Sequence, residues 1–307
     1  MVSLWHYFLG ICNLMKNLIC INTYKSPSLL KTFIWDYIEF AKHHEAYDFI
    51  VSLDGMDKES IAYCNKYNIP LLYSETNEGV GISKNRVLKE FCEYDNYFFI
   101  EDDVELLNAD VFDLHLQLSK ELNIQHFSLF EERRIRGRKD SLSHGKHNII
   151  QSMYGSAQFN FFTKKGLEIV GGFHTDFAQY KRFGHTEHTY RFVTNGLSEY
   201  PFQIVEECLY GYFRWNDPIS RVKLNVEVSS NDLFVGEEVL IESQIKYFPI
   251  KTISPYSLLH RNNVTSVDNI IVDRDVDFNK KKFYIGLKFI ETIRYIKFRI
   301  KTLWVKN

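Results

Sequence analysis

The sequence lacks the features that define several large classes of protein. It has five cysteines in 307 residues, and none forms the Cys-x-x-Cys pair that is typical of zinc and redox motifs. No apolar run reaches the ~20 residues that a membrane-spanning helix needs. The net charge of -2 gives the chain no overall attraction to nucleic acid. These absences argue against a disulfide framework, a zinc site and a nucleic-acid partner, and they favour a reducing, cytoplasmic location.

The composition is that of a chain with a large hydrophobic core. Hydrophobic residues make up 45% and charged residues 25%, and the chain has 25 Phe and 19 Tyr. This is enough for one large or two modest domains. The first fourteen residues are mostly apolar but carry no basic segment, so we do not interpret them as a signal peptide. Either a short packed or interfacial helix, or a true start at Met15, would explain them.

Apolar segments of strand type alternate with helical patterns over the first hundred residues. Helical periodicity is clearest after Ser28, where apolar residues recur with a period of 3.6. Such alternation predicts a mainly parallel sheet covered by helices on both faces. The predicted strands are residues 18–22, 49–53, 69–73 and 98–100, and the predicted helices begin at Ser28, Lys58 and Ile82.

The fourth predicted strand ends in three adjacent acids, Glu101, Asp102 and Asp103. Open α/β sheets bind ligands at the carboxyl ends of their strands. Hard cations such as Mg²⁺ and Mn²⁺ take oxygen ligands, often shared with the phosphates of a substrate. The pattern therefore indicates a metal site, although a solvated acidic turn would have the same sequence. We expect Glu105 to lie exposed at the start of the next helix.

The remainder of the chain gives weaker patterns. Residues 131–147 are polar and basic, which predicts a surface loop whose arginines are solvated or recognise an anionic acceptor. Strands with turns are expected over residues 222–275, which are rich in β-branched residues and Asn or Asp. Further predicted elements are a helix at 108–122, a strand at 158–163, and helices at 164–170, 186–194 and from Asn279 onward.

Several short motifs, in this order and spacing, resemble the family 2 glycosyltransferases, which have the GT-A fold. The resemblance covers about residues 17–200. The first acid of the family's D-x-D motif is Glu101 here, so the main metal contact would fall on Asp103. The matching residues are Asn22-Thr23-Tyr24-Lys25, Asp54-Gly55-Met56-Asp57, Asn77, Gly79, Ser83, Asn85, Arg86, Glu101-Asp102-Asp103, Gly171-Gly172-Phe173 and Glu187-His188.

The resemblance implies an α/β fold of GT-A type, a Rossmann-like, mainly parallel sheet flanked by helices. It implies a metal-dependent, inverting hexosyltransferase that moves one sugar from a nucleotide sugar, expected to be UDP-linked, to a surface-glycan or lipid-linked acceptor in polysaccharide biosynthesis. Processive synthases carry a Q-x-x-R-W motif. Arg214-Trp215 is present, but Gly211 occupies the Gln position, which argues against a processive enzyme.

The resemblance also implies roles for individual residues. Mn²⁺ or Mg²⁺ would be held by Asp103 and Glu101, with Asp102 as a second contact near the donor. Glu187 is the candidate general base, and His188 is either the alternative base or a metal ligand. Arg86 would meet the donor diphosphate or a metal-site carboxylate, or else form a salt bridge to the acidic cluster. The expected donor-binding residues are Thr23, Tyr24 and Asp54 around the base, and Asn77 and Gly79 in a tight turn.

The C-terminal segment is strongly basic. Residues 280–307 carry nine Lys or Arg and one acid, and Phe289, Ile293, Ile296, Ile300 and Leu303 recur on one helix face. Such a helix either lies on an anionic membrane surface, which would make the protein peripheral at the inner face of the cell membrane, or packs on the catalytic domain. We expect a catalytic domain at 15–220 and a smaller extension at 221–307, strand-rich and ending in this amphipathic helix.

Two other functions fit parts of the sequence. A nucleotidyltransferase also uses a Rossmann-like sheet with a carboxylate-bound metal, but the loop after the first strand, residues 23–27, lacks glycine. A non-catalytic glycan-binding protein on the same fold would have little need to keep the acidic triplet together with Glu187.

Overall fold

The strand and helix alternation predicted for the first hundred residues is present in the structure. The computed structural model describes residues 15–129, 136–155, 158–177, 183–216 and 245–286. The first seven elements are β1 (Asn17–Thr23), α1 (Pro27–Lys42), β2 (Tyr47–Leu53), α2 (Lys58–Lys66), β3 (Leu71–Ser74), α3 (Val80–Glu90) and β4 (Asn96–Glu101).

The elements that follow are shorter. They are β5 (Val104–Leu106), α4 (Asp110–Leu122), β6 (His126–Leu129), β7 (Arg136–His144), β8 (His147–Tyr154), β9 (Phe159–Thr163), α5 (Lys164–Val170), α6 (Gly184–Thr194), β10 (Phe202–Val205), β11 (Phe213–Trp215) and β12 (Tyr256–Leu259). Single turns of 3₁₀ helix lie at Glu206–Leu209, Arg261–Asn263 and Val267–Asn269. Residues 276–286, here called the C-terminal helix, are also helical.

The central sheet has seven strands in the order β12-β3-β2-β1-β4-β9-β6. The strands β3, β2, β1 and β4 are parallel, whereas β9 and β12 run antiparallel to their neighbours. The chain moves from β1 to β2 and β3 on one side and then returns to β4 on the other side. This reversal leaves a crevice at the carboxyl ends of β1 and β4, where sheets of this kind bind ligands. The predicted α/β fold class is confirmed.

Both faces of the sheet are buried, as a parallel sheet requires. Along β1, Ile19 and Ile21 belong to one hydrophobic cluster and Leu18 and Cys20 to the other. Helix α1 packs on the first face through residues such as Ile34 and Tyr37, and α3 packs on the second through Val87 and Leu88. Strand residues alternate between faces, so one apolar run supplies both cores.

The prediction of a surface loop over residues 131–147 is wrong from residue 136 onward. These residues form β7 and the two-residue turn into β8, in which Gly145 follows His144 and His144 pairs with His147. A second pairing, between β8 and β10, makes a three-stranded sheet. The polar side chains misled the prediction because backbone hydrogen bonds to a distant strand hold the hairpin. Arg133 and Arg134 lie outside the described residues.

The C-terminal part contributes to the same body. Among the described residues of 245–275 there is one strand, β12, and it pairs with the edge of the central sheet at β3. The C-terminal helix packs on α1, where the ring of Phe283 lies 5.1 Å from that of Phe33. The boundary between 15–220 and 221–307 stays a prediction.

The predictions for the first fourteen residues and for much of the extension at 221–307 fall outside the described residues. Residues 1–14, 217–244 and 287–307, including the apolar stripe from Phe289 to Leu303, lie outside the described part of the chain. Within the described part, no helix is long and apolar enough to cross a bilayer.

The lowered pKa values of two buried histidines indicate that acid destabilises the protein. Burial lowers the pKa of His115 and of His126 to about 4, whereas both titrate near ~6.5 in an unfolded chain. Between these values the unfolded state binds protons that the folded state does not, so stability falls as the pH drops from ~6.5 towards 4. We expect the melting temperature to fall steadily between pH 7 and pH 4.5.

The variant His115→Phe provides the control for this effect. His115 lies among the rings of Phe127, Phe159 and Phe161, so phenylalanine suits the site and cannot take up a proton. Its melting temperature should depend less steeply on pH. An unchanged slope in this variant would show that His115 does not contribute.

Candidate active site

The predicted metal loop and the predicted base-binding loop meet at one edge of the sheet. Strands β1, β2 and β4 end there side by side, with Asn22 aligned to both Ser52 and Glu101. Two backbone hydrogen bonds continue this alignment beyond the strands. Asp54 N donates to Thr23 O at 3.0 Å, and Asp102 N donates to Asn22 O at 3.1 Å. Parallel packing therefore places residues that are far apart in sequence in one crevice.

The three acids after β4 have different surroundings. Glu101 is half-buried, whereas Asp102 and Asp103 are buried. Asp102 Oδ2 accepts a hydrogen bond from Thr23 Oγ1 at 2.5 Å, so Thr23 orients this acid. Tyr24, half-buried next to Thr23, has the ammonium of Lys25 5.3 Å from its ring centre.

The donor set fits a cation that is shared with a phosphate. Among the described residues, no group of three or more His, Cys, Asp or Glu side chains could hold a metal ion by itself. Mg²⁺ and similar ions commonly use one or two protein carboxylates and complete their coordination with substrate phosphates and water. Asp103 and Glu101 could supply those carboxylates.

Arg86 forms a buried charge cluster with two acids. Its side chain is fully buried, and Nη2 lies 2.7 Å from Glu78 Oε2 and 3.4 Å from Asp54 Oδ1. The predicted salt bridge of Arg86 is thus made to Glu78 and Asp54 instead of the acids after β4. Burial raises the pKa of Asp54, and its hydrogen bonds and Arg86 oppose this change. Glu78 was not identified from the sequence.

The loops after β2 and β3 are tied together around the Asp54 carboxylate. Asp54 Oδ1 accepts a hydrogen bond from Glu78 N at 2.9 Å, and Gly79 N donates to Asn77 Oδ1 at 3.1 Å. Gly55 has a φ of +90°, and a Cβ there would lie 3.1 Å from Asn77 N. Close approach of the two loops therefore depends on this glycine. Gly79 lies directly before α3 with a φ of +88°, and the role of Asn77 and Gly79 beside a donor stays a prediction.

The Gly171–Phe173 turn is held by Asn85 of α3. The Asn85 amide donates to Phe173 O at 2.7 Å and accepts from Phe173 N at 2.7 Å. It also donates to Lys251 O at 2.9 Å. One side chain thus pairs with both backbone groups of Phe173, much as a neighbouring strand would.

One candidate base contacts this turn directly, and the other reaches it through Arg191. Both oxygens of Glu187 accept hydrogen bonds from Arg191, at 2.7 and 2.6 Å, and Arg191 Nη1 donates to Val170 O and Gly172 O at 2.7 Å each. His188 Nε2 donates to Gly171 O at 2.9 Å. These contacts hold the Gly171–Phe173 turn, and the roles of Glu187 and His188 in proton transfer stay predictions.

Lys84 is a site residue that the sequence analysis missed. It is 1% exposed, and its ammonium lies 5.6 Å from the ring centre of Phe99 and 5.3 Å from that of Phe173. Burial lowers the pKa of Lys84 to about 8, and the charge of Glu101 opposes this change. A signal existed, because Lys84 precedes Val87, Leu88 and Phe91 at the spacing of an apolar helix face.

Comparisons with known proteins identify the fold. No protein-family model and no curated protein sequence matches the chain. The structure of residues 1–349 of Staphylococcus aureus TarS in complex with UDP matches with a TM-score of 0.52 and 16% identity, over 74% of this chain and 64% of that one. A crystal structure of a longer TarS chain matches with a TM-score of 0.50 and 16% identity, over 74% of this chain and 39% of that one.

The chain spans less than two thirds of the TarS structures that it matches. At this identity the likeness shows the fold alone. TarS is a glycosyltransferase, and the fold of the present chain is of the GT-A glycosyltransferase type, as the sequence predicted.

The Gly171–Phe173 turn leads to a prediction about stability. A Cβ on Gly171 would lie 1.8 Å from Phe248 O, in a backbone conformation with φ of +77°. Since backbone would have to move, Gly171→Ala should destabilise the protein by ~3 kcal/mol or more. The matched control is Gly196→Ala, where φ is +71° and nothing lies within 4 Å. Denaturant unfolding of both variants measures the difference, and equal losses would show that contact with Phe248 is unimportant.

Proposed function

We propose that this protein is a metal-dependent, inverting glycosyltransferase that moves one sugar from a nucleotide sugar, with UDP as the expected nucleotide, to a glycan or lipid-linked glycan acceptor. The observation that carries the proposal is the meeting of Asp54 and the acids Glu101–Asp103 at one edge of a GT-A sheet. A TarS structure with this fold is a complex with UDP, which supports the choice of donor.

The nucleoside would bind beside Asp54. A carboxylate at this position can accept the ring N–H of uracil, and Tyr24 offers an aromatic face next to it. Asn77 and Gly79 form the adjacent wall, with a backbone that turns sharply at Gly79, where φ is +88°. Arg86 is fully buried and contacts Asp54 from the interior of the protein. We therefore assign it the role of orienting Asp54 instead of direct contact with the diphosphate.

The donor diphosphate would lie between the nucleoside site and Asp103. Asp103 and Glu101 would hold the metal, and a bound divalent cation neutralises charge that develops on the departing diphosphate. Asp102, fixed by Thr23, adds to the negative field of the loop. Lys84 provides a fixed positive charge on the α3 side of Glu101, which limits repulsion among the three acids.

The acceptor hydroxyl must lose a proton as it attacks the anomeric carbon from the face opposite the nucleotide. Glu187 and His188 stay our candidate bases. For Glu187 to act, one of its oxygens would have to leave Arg191, with which it makes two hydrogen bonds. Positioning of the two substrates would then provide much of the rate.

The C-terminal helix provides a surface for membrane association. Phe278 and Ile285, seven residues apart on one face, are 65% and 61% exposed. Lys281 and Lys282 lie exposed between them. The opposite face packs on α1, so an apolar and basic face remains outside, and the sequence pattern continues it to residue 307. We propose that this face binds an anionic membrane at the cytoplasmic side.

The first test concerns the metal and the donor. The melting temperature is measured in a thermal-shift panel of UDP-, GDP-, CMP- and dTDP-sugars, with and without Mn²⁺. The UDP-linked donor should raise the melting temperature of the wild-type protein more strongly when Mn²⁺ is present. Asp103→Asn should lose that Mn²⁺-dependent stabilisation and at least ~100-fold in turnover, because charge stabilisation of the leaving group is lost. Glu93→Gln, an exposed acid before the other end of β4, is the control. A fully active Asp103→Asn variant would contradict the metal assignment.

The second test concerns the membrane. Six of the nine basic residues of 280–307 lie in 287–307, and each contributes roughly 1 kcal/mol near an anionic surface. Deleting 287–307 should therefore abolish sedimentation with phosphatidylserine vesicles and leave the melting temperature unchanged. Deleting 280–307 should also lower the melting temperature, because Lys280 and Phe283 contact α1. Undiminished vesicle binding after the longer deletion, which also removes Lys281, Lys282 and Ile285, would exclude this surface.

A further inference from the structure

Glu105 is a buried acid at the centre of a charge network. The sequence predicts an exposed residue at the start of a helix, which is wrong because Glu105 is the middle residue of β5 and is 6% exposed. Its Oε2 accepts hydrogen bonds from Arg214 Nη1, at 3.0 Å, and from the Tyr284 hydroxyl. Lys280 Nζ lies 4.0 Å from Oε1. A buried carboxylate with this many donors is held in one orientation.

The strand that carries Glu105 begins directly after Asp103. It pairs antiparallel with β11, with Glu105 opposite Arg214 and Val104 opposite Trp215. The pairing continues one step further, because Asn216 N donates to Asp103 O at 2.8 Å. The backbone position of Asp103 is therefore set by a ribbon of two three-residue strands.

A ribbon this small is not stable by itself, so its position depends on what it packs against. Helix α1 provides one support, since the Tyr37 hydroxyl donates to Val104 O at 3.0 Å. The C-terminal helix provides the other through Tyr284, whose ring lies 5.2 Å from the Arg214 guanidinium. Lys280 joins the two helices through Asp36, at 2.7 and 2.8 Å.

We propose that Glu105 is a positioning residue for the metal site, through which Tyr284 and Arg214 fix the strand that presents Asp103. The inference rests on the proposed function, since the metal role of Asp103 is part of that proposal. A carboxylate that holds a cation must be kept within a fraction of an ångström of its working position. Groups that orient a metal ligand typically change metal affinity ~10–100-fold when they are replaced.

A purely structural role for Glu105 makes a different forecast. Loss of a buried hydrogen bond would then lower stability without any specific effect on the metal. The two roles separate when metal affinity and melting temperature are measured on the same variants, and when a hydrogen bond of the same kind is removed elsewhere. Tyr94→Phe provides that control, because the Tyr94 hydroxyl donates to Asp48 at 2.7 Å, near the end of the sheet opposite the acidic triplet.

The experiment uses the full chain and the variants Tyr284→Phe, Glu105→Gln and Tyr94→Phe. Mn²⁺ affinity is measured by the electron paramagnetic resonance signal of free Mn²⁺ at saturating UDP, and UDP affinity without metal is measured by calorimetry. We expect a ~10-fold weaker Mn²⁺ affinity for Glu105→Gln and a smaller loss for Tyr284→Phe. UDP affinity without metal should stay unchanged in both, and Tyr94→Phe should bind Mn²⁺ as the wild type does.

Tyr284→Phe removes a single hydroxyl, so this variant should still fold if Glu105→Gln does not, and its Mn²⁺ affinity can then be measured. Wild-type Mn²⁺ affinity in Tyr284→Phe and Glu105→Gln, together with lowered melting temperatures, overturns the positioning role and leaves the metal proposal intact. If the wild type binds UDP equally with and without Mn²⁺, the metal proposal fails, and this inference fails with it.

Discussion

The arrangement of the site depends on Asn85, which pairs with the backbone of Phe173 from both sides of its amide. Gly172 must be a glycine for this contact, because a Cβ there would lie 2.6 Å from Asn85 Oδ1. The pairing fixes α3 against the turn before α6 and so fixes the direction of the neighbouring side chains. Lys84 then lies over the rings of Phe99 and Phe173, and Arg86 lies against Asp54. Three successive residues thereby connect the turn, strand β4 and the loop after β2.

The charges in this arrangement are costly to bury. Arg86 and Arg191 are fully buried, and each is paired with one carboxylate within 3 Å. Replacing such pairs with apolar residues is often neutral for stability, whereas removing one partner is strongly destabilising. Their contribution here is to fix loops, because Arg191 also binds the carbonyls of Val170 and Gly172. A crevice built from loops needs such internal supports to keep its shape.

The sequence predicted the central sheet because buried parallel strands are continuous apolar runs such as Phe98–Ile100. It failed for β7, β8 and β5, since polar or very short strands depend on partners that are distant in the chain, as β10 is for β8. Of the motif residues, Thr23, Asp54 and the acids after β4 lie together at one edge of the sheet. Their contacts could not be predicted, because the partners of Glu187 and Arg86 depend on how the helices pack. Lys84 was missed as well, although its burial could have been predicted from its place on an apolar helix face.

The part of the chain that shapes the site extends past the domain boundary expected at residue 220. Strand β12 covers the open edge of β3 with backbone hydrogen bonds, and an uncovered edge strand is prone to pair with other chains. Lys251 accepts from Asn85 through its carbonyl, and Tyr284 donates to Glu105. The edge of the sheet, the glycine turn and the strand after Asp103 thus each depend on residues from 245–286. These contacts show how closely residues 245–286 are connected to the site, through one backbone pairing and two side-chain hydrogen bonds.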